Sequence, residues 1–223
     1  MKRVLITGAN RGLGLEFARQ YRAAGAEVIG TCRRADAANT LRETGAEIIA
    51  LDVTDGAAVD RLAAMFADRR LDLVICNAGV AGARAHVAQP VTASDFDLVM
   101  RTNVFGPMRL IAAIASRMAN PGAIAVISSR MGSIGGMGDG GYALYRASKA
   151  AVNAVTRAAS LEFAADGLAV LALHPGWVKT DMGGADADID VATSVSGMRR
   201  LIDQASARES GRFFDYTGTE LSW

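Results

Sequence analysis

Apolar residues gather along this chain in short runs rich in β-branched side chains. They lie at Lys2–Thr7, Glu27–Thr31, Glu47–Leu51, Asp72–Cys76, Ala123–Ser128 and Leu168–His174, with a fainter run near Phe213. Runs of that length with little polar alternation predict strands buried on both faces. Between them the period changes. Val59, Leu62, Ala63 and Phe66 fall at i, i+3, i+4 and i+7 behind Asp55, a good helix cap, and Leu13, Phe17 and Tyr21 form a second helical stripe. Strand and helix thus alternate, and crossovers of this length join parallel strands with right-handed connections. The expected fold is α/β, a doubly wound parallel sheet of about seven strands with helices on both faces. In such a sheet the ligand site lies beyond the carboxyl ends of the strands. No proline- or serine-rich linker, charge block or repeat divides residues 1–223, so one domain is expected, with a glycine-dense loop from Gly132 to Gly141.

The 24 basic and 23 acidic residues nearly cancel, leaving +1, which is no footprint for nucleic acid. With 51% hydrophobic and 21% charged residues, the chain can bury a large core without disulfides or a structural metal. Its mean hydropathy is +0.20, yet no uncharged apolar stretch approaches the roughly 20 residues of a spanning helix. Met1-Lys2-Arg3 and the apolar run after it are too brief for a signal peptide, so a cytoplasmic protein without a membrane partner is expected. Cys32 and Cys76 lie in or at the end of strand-like runs and read as small core hydrophobes. His86 and His174 are too few and too separated for a metal site.

The first strand runs into Thr7-Gly8-Ala9-Asn10-Arg11-Gly12-Leu13-Gly14 and then into the Leu13 stripe. Strand, glycine turn and helix in that order suit a dinucleotide, because the helix N-terminus offers free N–H groups and positive potential to a pyrophosphate. Gly8 makes the tight turn, Gly12 admits the pyrophosphate to the backbone, and Gly14 lets the helix pack closely. The expected architecture is therefore Rossmann-type. Cofactor choice follows from charge. The second strand ends Thr31-Cys32-Arg33-Arg34, with no Asp or Glu to accept a ribose 2′-hydroxyl, and Arg11 sits within the glycine turn. A planar guanidinium fork suits a 2′-phosphate, so NADP(H) is expected, with Arg11 and Arg33 as its phosphate ligands and Arg34 as a third candidate.

Tyr145-Arg146-Ala147-Ser148-Lys149 puts a phenol and an ammonium on one helical face. The chain has 4 Tyr, and its lysines are Lys2, Lys149 and Lys179, so a Tyr-x-x-x-Lys spacing is expected only about 0.05 times by chance. A free phenol is a poor acid–base group at neutral pH, and a fixed cation beside it lowers its pKa toward the working range. Lys149 is expected to supply that field while its remaining donors hold the ribose of the nicotinamide. Ser129, closing the run Ile127-Ser128-Ser129, would hydrogen-bond the substrate oxygen. Ser133 competes for that role: Ser129 precedes Tyr145 by 16 residues and Ser133 by 12. Ser129 is preferred because the sheet fixes its position, whereas Ser133 lies in the glycine-rich loop.

The Thr-Gly-x-x-x-Gly-x-Gly turn and the Tyr-x-x-x-Lys pair resemble the short-chain dehydrogenase/reductase family. So do Leu51-Asp52-Val53-Thr54, Cys76-Asn77-Ala78-Gly79, Arg101-Thr102-Asn103-Val104 and the run from His174 to Asp181, which together span nearly all of the chain. The resemblance implies cofactor contacts from Gly8, Asn10, Arg11, Gly12, Leu13 and Gly14, adenine contacts near Asp52 and Val53, and a strand-stabilising turn at Asn77, Ala78 and Gly79. It further implies a Pro175-Gly176 turn with Val178 and Thr180 on the nicotinamide carboxamide. Asn103 would hold a water for proton relay, completing a catalytic set of Asn103, Ser129, Tyr145 and Lys149. Two positions depart from the pattern. Cys76 stands where the family usually has Asn, and Ser129 lies farther from Tyr145 than usual, so the intervening loop must carry extra residues.

Tyr-Arg-Ala-Ser-Lys, the run His174 to Gly184 and the closing Leu221-Ser222-Trp223 resemble the carbonyl-reductase branch, with its C-factor and sniffer-like proteins. The implied activity is NADPH-dependent reduction of an aldehyde or ketone, or the reverse alcohol oxidation, on a small-molecule substrate by a homodimer. A second implied reading is an NADP(H)-binding sensor or signalling protein with little turnover. His174 is expected to be a satisfied strand-end residue, and the segment Asp181 to Asp190 an open, mobile mouth over the site.

Overall fold

The computed structural model describes residues 1–223. Its elements are β1 (Arg3–Thr7), α1 (Gly12–Ala23), β2 (Glu27–Cys32), α2 (Asn39–Arg42), β3 (Glu47–Ala50), α3 (Gly56–Ala64) and β4 (Leu71–Cys76), followed by α4 (Ala93–Met100) and α5 (Gly106–Ile114). The second half holds β5 (Met118–Ile127), α6 (Ala143–Glu162), β6 (Leu168–His174), α7 (Val191–Asp203) and β7 (Phe213–Asp215). All seven strands are parallel and form one sheet in the order β3-β2-β1-β4-β5-β6-β7. The order reverses between β1 and β4, and the crevice at that switch point opens at the strands' carboxyl ends.

Each face of the sheet carries its own core. Val4, Ile6, Leu73, Ile75 and Leu171 pack with Phe17 and Tyr21 of α1 and Val195, Met198 and Ile202 of α7. The alternate residues Leu5, Val74, Ile124 and Val170 pack with Val59 and Leu62 of α3, Leu110 and Ile114 of α5, and Val152 and Ala159 of α6. This is the strand period of two at work, and it explains why the runs lack polar alternation. A fully buried side chain of this size contributes about 1.5–3 kcal/mol by transfer from water.

Boundaries differ from expectation in instructive ways. Phe66 lies just past the end of α3 yet is 1% exposed, so the helical spacing marked a core position rather than helix length. α4 continues without interruption through a π-helical turn, Arg101–Phe105, into α5 and a 3-10 turn, Ala115–Arg117. By length and composition this composite helix, Ala93–Arg117, is long and apolar enough to cross a membrane, although Asp95, Asp97, Arg101 and Arg109 interrupt it. Here α5 packs against α3, α6 and β5. Cys32 and Cys76 are free and buried, as expected of core hydrophobes, and burial pushes the Cys76 thiol up to about 12.

Candidate active site

The glycine turn is locked to the end of β4. Thr7 Oγ1 accepts from the backbone N–H groups of Asn77 and Ala78 at 3.0 and 3.1 Å. Asn77 Nδ2 donates to the carbonyls of Thr7 and Gly8 at 2.9 and 3.1 Å. A Cβ at Gly14 would stand 2.3 Å from the Gly8 carbonyl oxygen and 2.6 Å from Asn77 Nδ2, so only glycine permits the helix to start this close. Gly8 and Gly12 have φ of +65° and +53°, the left-handed region that favours glycine. Asp55, Thr92 and Asp190 cap α3, α4 and α7 with side-chain oxygens, but Arg11 gives α1 no such cap. Uncapped N–H groups beside a cradle too tight for a Cβ fit a dinucleotide pyrophosphate. Asn10 is exposed at the tip of the turn, and Leu13 faces the main cavity.

At the far end of the crevice Arg33 and Arg34 emerge exposed from β2. Hydrogen bonds from Thr54, at 2.9 Å from its backbone N–H and 2.7 Å from its hydroxyl, hold the Asp52 carboxyl below the usual carboxylate range, and Arg33 assists. Val53 is buried, with its side chain against Gly106. Arg11 does not stand free: its guanidinium pairs with Asp181 at 2.6 Å, bridging the glycine turn and the segment after β6. Gly12 faces Thr180 across the same gap.

The predicted catalytic residues converge beside this crevice. Tyr145 and Lys149 stand on one face of α6, with Lys149 Nζ 5.6 Å from the centre of the phenol ring. Lys149 Nζ donates to the Ile127 carbonyl at 2.9 Å. Ser129 follows β5, caps a short 3-10 turn by accepting from Met131 N–H at 3.2 Å, and lines the same cavity as Tyr145. Ser133 points elsewhere, its hydroxyl lying between the Trp223 carbonyl and the Gly136 N–H. Asn103 sits in the π-helical turn, where its amide bonds both backbone groups of Val80 and donates to Ser148 Oγ at 3.0 Å. π-turns concentrate at functional sites because the extra residue redirects a side chain. A Cβ at Gly79 would lie 3.3 Å from Asn103 Oδ1 and 3.8 Å from Lys149 Nζ, which brings the Asn77-Ala78-Gly79 turn into the same cluster.

Burial reverses one expectation. It lowers the Lys149 ammonium to about 8 and raises the Tyr145 phenol to about 12, while the neighbouring Ser129 hydroxyl works against the latter. A low-dielectric wall disfavours both charged forms, and this outweighs the pull of the lysine on the phenol in the protein by itself. His174 likewise departs from the satisfied strand-end residue: its Nδ1 is buried without a protein partner, and burial pushes its pKa down to about 4.

Tyr145, Ser129 and His174 line a cavity of about 720 Å³ at the ends of β5, β6 and β7, with Pro175, Gly176, Val178 and Thr180 along one side. The segment beyond Thr180 is a hydrogen-bonded turn rather than a loose strap. Lys179 N–H donates to the Ile189 carbonyl, Ile189 N–H to the Trp177 carbonyl, and Trp177 Nε1 to the Gly183 carbonyl. Trp177, Met131, Met182, Arg84 and Tyr142, none of them an expected site residue, also border the cavity. Tyr142 has φ of +59° and carries Arg84 over its ring at 5.6 Å. Ser148, which accepts from the Asn103 amide, lies inside the Tyr-Arg-Ala-Ser-Lys run but was not among the expected site residues, and the five cavity-wall residues had no periodic signal to mark them.

The family model for short chain dehydrogenase matches residues 2–189. The chain is 42% identical over 155 residues to C-signal of Myxococcus xanthus, covering 69% of this chain and 93% of that one. It is 34% identical over 236 residues to 1-hydroxy-2-glutathionyl-2-methyl-3-butene dehydrogenase of Rhodococcus sp. (strain AD45), covering all of both. Among solved structures, the NADPH-bound carbonyl reductase from chicken fatty liver superposes with a TM-score of 0.93 at 34% identity, covering 100% of this chain and 99% of that one. A full-length match, a parallel sheet of the same form and the clustered Asn103, Ser129, Tyr145 and Lys149 lead to one conclusion: this chain belongs to the short-chain dehydrogenase family of oxidoreductases.

Proposed function

We propose that this protein reduces aldehyde or ketone carbonyls with NADPH, or runs the reverse alcohol oxidation, and that Tyr145 is its proton donor. The observation that carries the reading is the placement of Ser129 and Tyr145 together on the cavity wall, with the buried Lys149 Nζ 5.6 Å from the phenol ring centre. Gly8, Asn10, Arg11, Gly12, Leu13 and Gly14 would hold the pyrophosphate side of NADP(H), with Asp52, Val53, Asn77, Ala78 and Gly79 around the adenosine. Pro175, Gly176, Val178, Thr180, Tyr145 and Lys149 would bound its nicotinamide end. Arg33 and Arg34, with no carboxylate at the end of β2, favour a 2′-phosphate. Arg11 would exchange Asp181 for that phosphate, at small cost because both partners are well exposed. When bound, the cofactor supplies the hydride that adds to the carbonyl carbon.

The chain's own residues do the rest. Ser129 donates to the carbonyl oxygen and polarises it, and Tyr145 delivers its phenolic proton to the same oxygen as negative charge develops there. Lys149, whose pKa of about 8 leaves it mostly charged at neutral pH, stabilises the phenolate left behind. Asn103 holds the backbone at Val80 beside Lys149, where a water could return the proton.

Tyr145→Phe is expected to keep NADPH affinity and lose at least about 100-fold in turnover on a carbonyl panel. Fluorescence titration should show tight, salt-sensitive NADPH binding and much weaker NADH binding. Near-wild-type turnover by Tyr145→Phe, or a preference for NADH, would overturn the corresponding part of the reading. The C-signal relative favours a second reading, a nucleotide-binding signalling protein with little turnover. Tight NADPH binding without activity on any carbonyl in the panel would support it.

A further inference from the structure

Ser128 and Asn153 form a buried pair that none of the roles above uses. Ser128 Oγ donates to Asn153 Oδ1 at 2.5 Å, and Asn153 Nδ2 donates to the Gly132 carbonyl at 3.4 Å. The two residues are 2% and 3% exposed. Their contacts straddle Ser129, because Ser128 precedes it and Gly132 closes the 3-10 turn, Arg130–Gly132, that Ser129 caps. Inside that turn the Met131 N–H reaches Ser129 Oγ at 3.2 Å and the Gly132 N–H reaches the Ser129 carbonyl at 2.8 Å. On α6, Tyr145, Lys149 and Asn153 follow one another at i, i+4 and i+8 along one face. Lys149 Nζ fastens the Ile127 carbonyl, and Asn153 fastens the next residue and the far end of the turn. Packing leaves no slack, since a Cβ at Gly132 would come within 2.7 Å of the Lys149 backbone.

We infer that Asn153, oriented by Ser128, is a positioning residue that sets the Ser129 hydroxyl against the Tyr145 phenol so that both meet one substrate oxygen. This rests on the Ser129–Tyr145 reading above. A carboxamide suits the task because it accepts from one side of the turn and donates to the other. Neither an apolar nor a singly functional side chain can do both, and a displacement of 1 Å at reacting groups costs on the order of 100-fold in rate.

The test compares Asn153→Leu, Ser128→Ala, Ser128→Thr and the Asn153→Leu/Ser128→Ala double variant with Tyr145→Phe. Asn153→Leu and Ser128→Ala should each lower kcat about tenfold or more with NADPH Kd unchanged. The double variant should fall no further than the worse single, as for groups acting as one unit. Ser128→Thr, which keeps the hydroxyl, should keep the rate. In the cofactor-free protein, amide exchange at Met131 and Gly132 should quicken in Asn153→Leu while the β4 amides stay protected. Wild-type kcat and protection in Asn153→Leu would overturn the inference. So would a parallel loss of kcat, NADPH affinity and β4 protection, which marks a merely structural residue. If Asn153→Leu does not fold, the Ser128 pair decides, and equal rates for Ser128→Ala and Ser128→Thr overturn it. Turnover surviving in Tyr145→Phe would instead overturn the parent reading.

Discussion

Lys149 and Tyr145 stand one helical turn apart, yet burial drives them toward neutrality, one down to about 8 and the other up to about 12. The spacing alone argues for a charged lysine pulling the phenol down; the depth of the wall decides otherwise. His174 shows the same force on a group with no assigned chemistry. Folded, its imidazole stays neutral to about 4, whereas its unperturbed value is 6.5. Between those values the unfolded chain binds the extra proton, so stability is full above pH 6.5 and falls as pH drops toward 4. His174→Gln removes that term. Denaturant titrations should show wild type losing stability faster than the variant between pH 6.5 and 4 and in parallel with it above 6.5.

Side-chain oxygens cap α3, α4 and α7, whereas α1, α2 and α6 have no such cap, and in α1 the cap position is Arg11. That helix start is a weak point in the free protein and an asset toward an anion. Arg11→Ser should supply the missing oxygen and raise the stability of the cofactor-free protein by about 1 kcal/mol, the usual worth of a cap. The same substitution should weaken NADPH binding, because the cap occupies the N–H groups and the cation is gone. Thermal melts and NADPH titration read the two effects separately; a variant that gained stability without losing affinity would contradict the role given to this turn. The π-turn at Arg101–Phe105 shows the opposite economy: a less regular helix that aims Asn103 at Val80 and Ser148.

Two cores share one seven-stranded sheet, and the crevice between β1 and β4 is lined from both halves of the chain. Arg11 comes from the first crossover and Asp181 from the last, so a ligand in the crevice touches segments remote in sequence that the sheet, the packing of α1 on α7 and this ion pair hold together. Unfolding should therefore be a single transition that NADPH shifts as a whole. At 100 times its Kd, NADPH should add about 2.7 kcal/mol of stability, and equimolar NADH much less. Two separated transitions, or equal shifts by both nucleotides, would contradict this picture.

The strand runs, their alternation with helices, the glycine turn and the Tyr145–Lys149 spacing were legible in the sequence because each is a local pattern of apolar period or residue type. The parallel sheet followed from that alternation, and the cationic end of β2 was visible in Arg33 and Arg34. Local patterns do not report distance across the fold. Only the tertiary structure joined Arg11 to Asp181, turned Ser133 away while leaving Ser129 beside Tyr145, and gave Ser128 and Asn153 to each other from 25 residues apart. It also shifted Lys149, Tyr145 and His174 toward their neutral forms, because desolvation depends on what surrounds a group from every side, and most of those neighbours are remote in the chain.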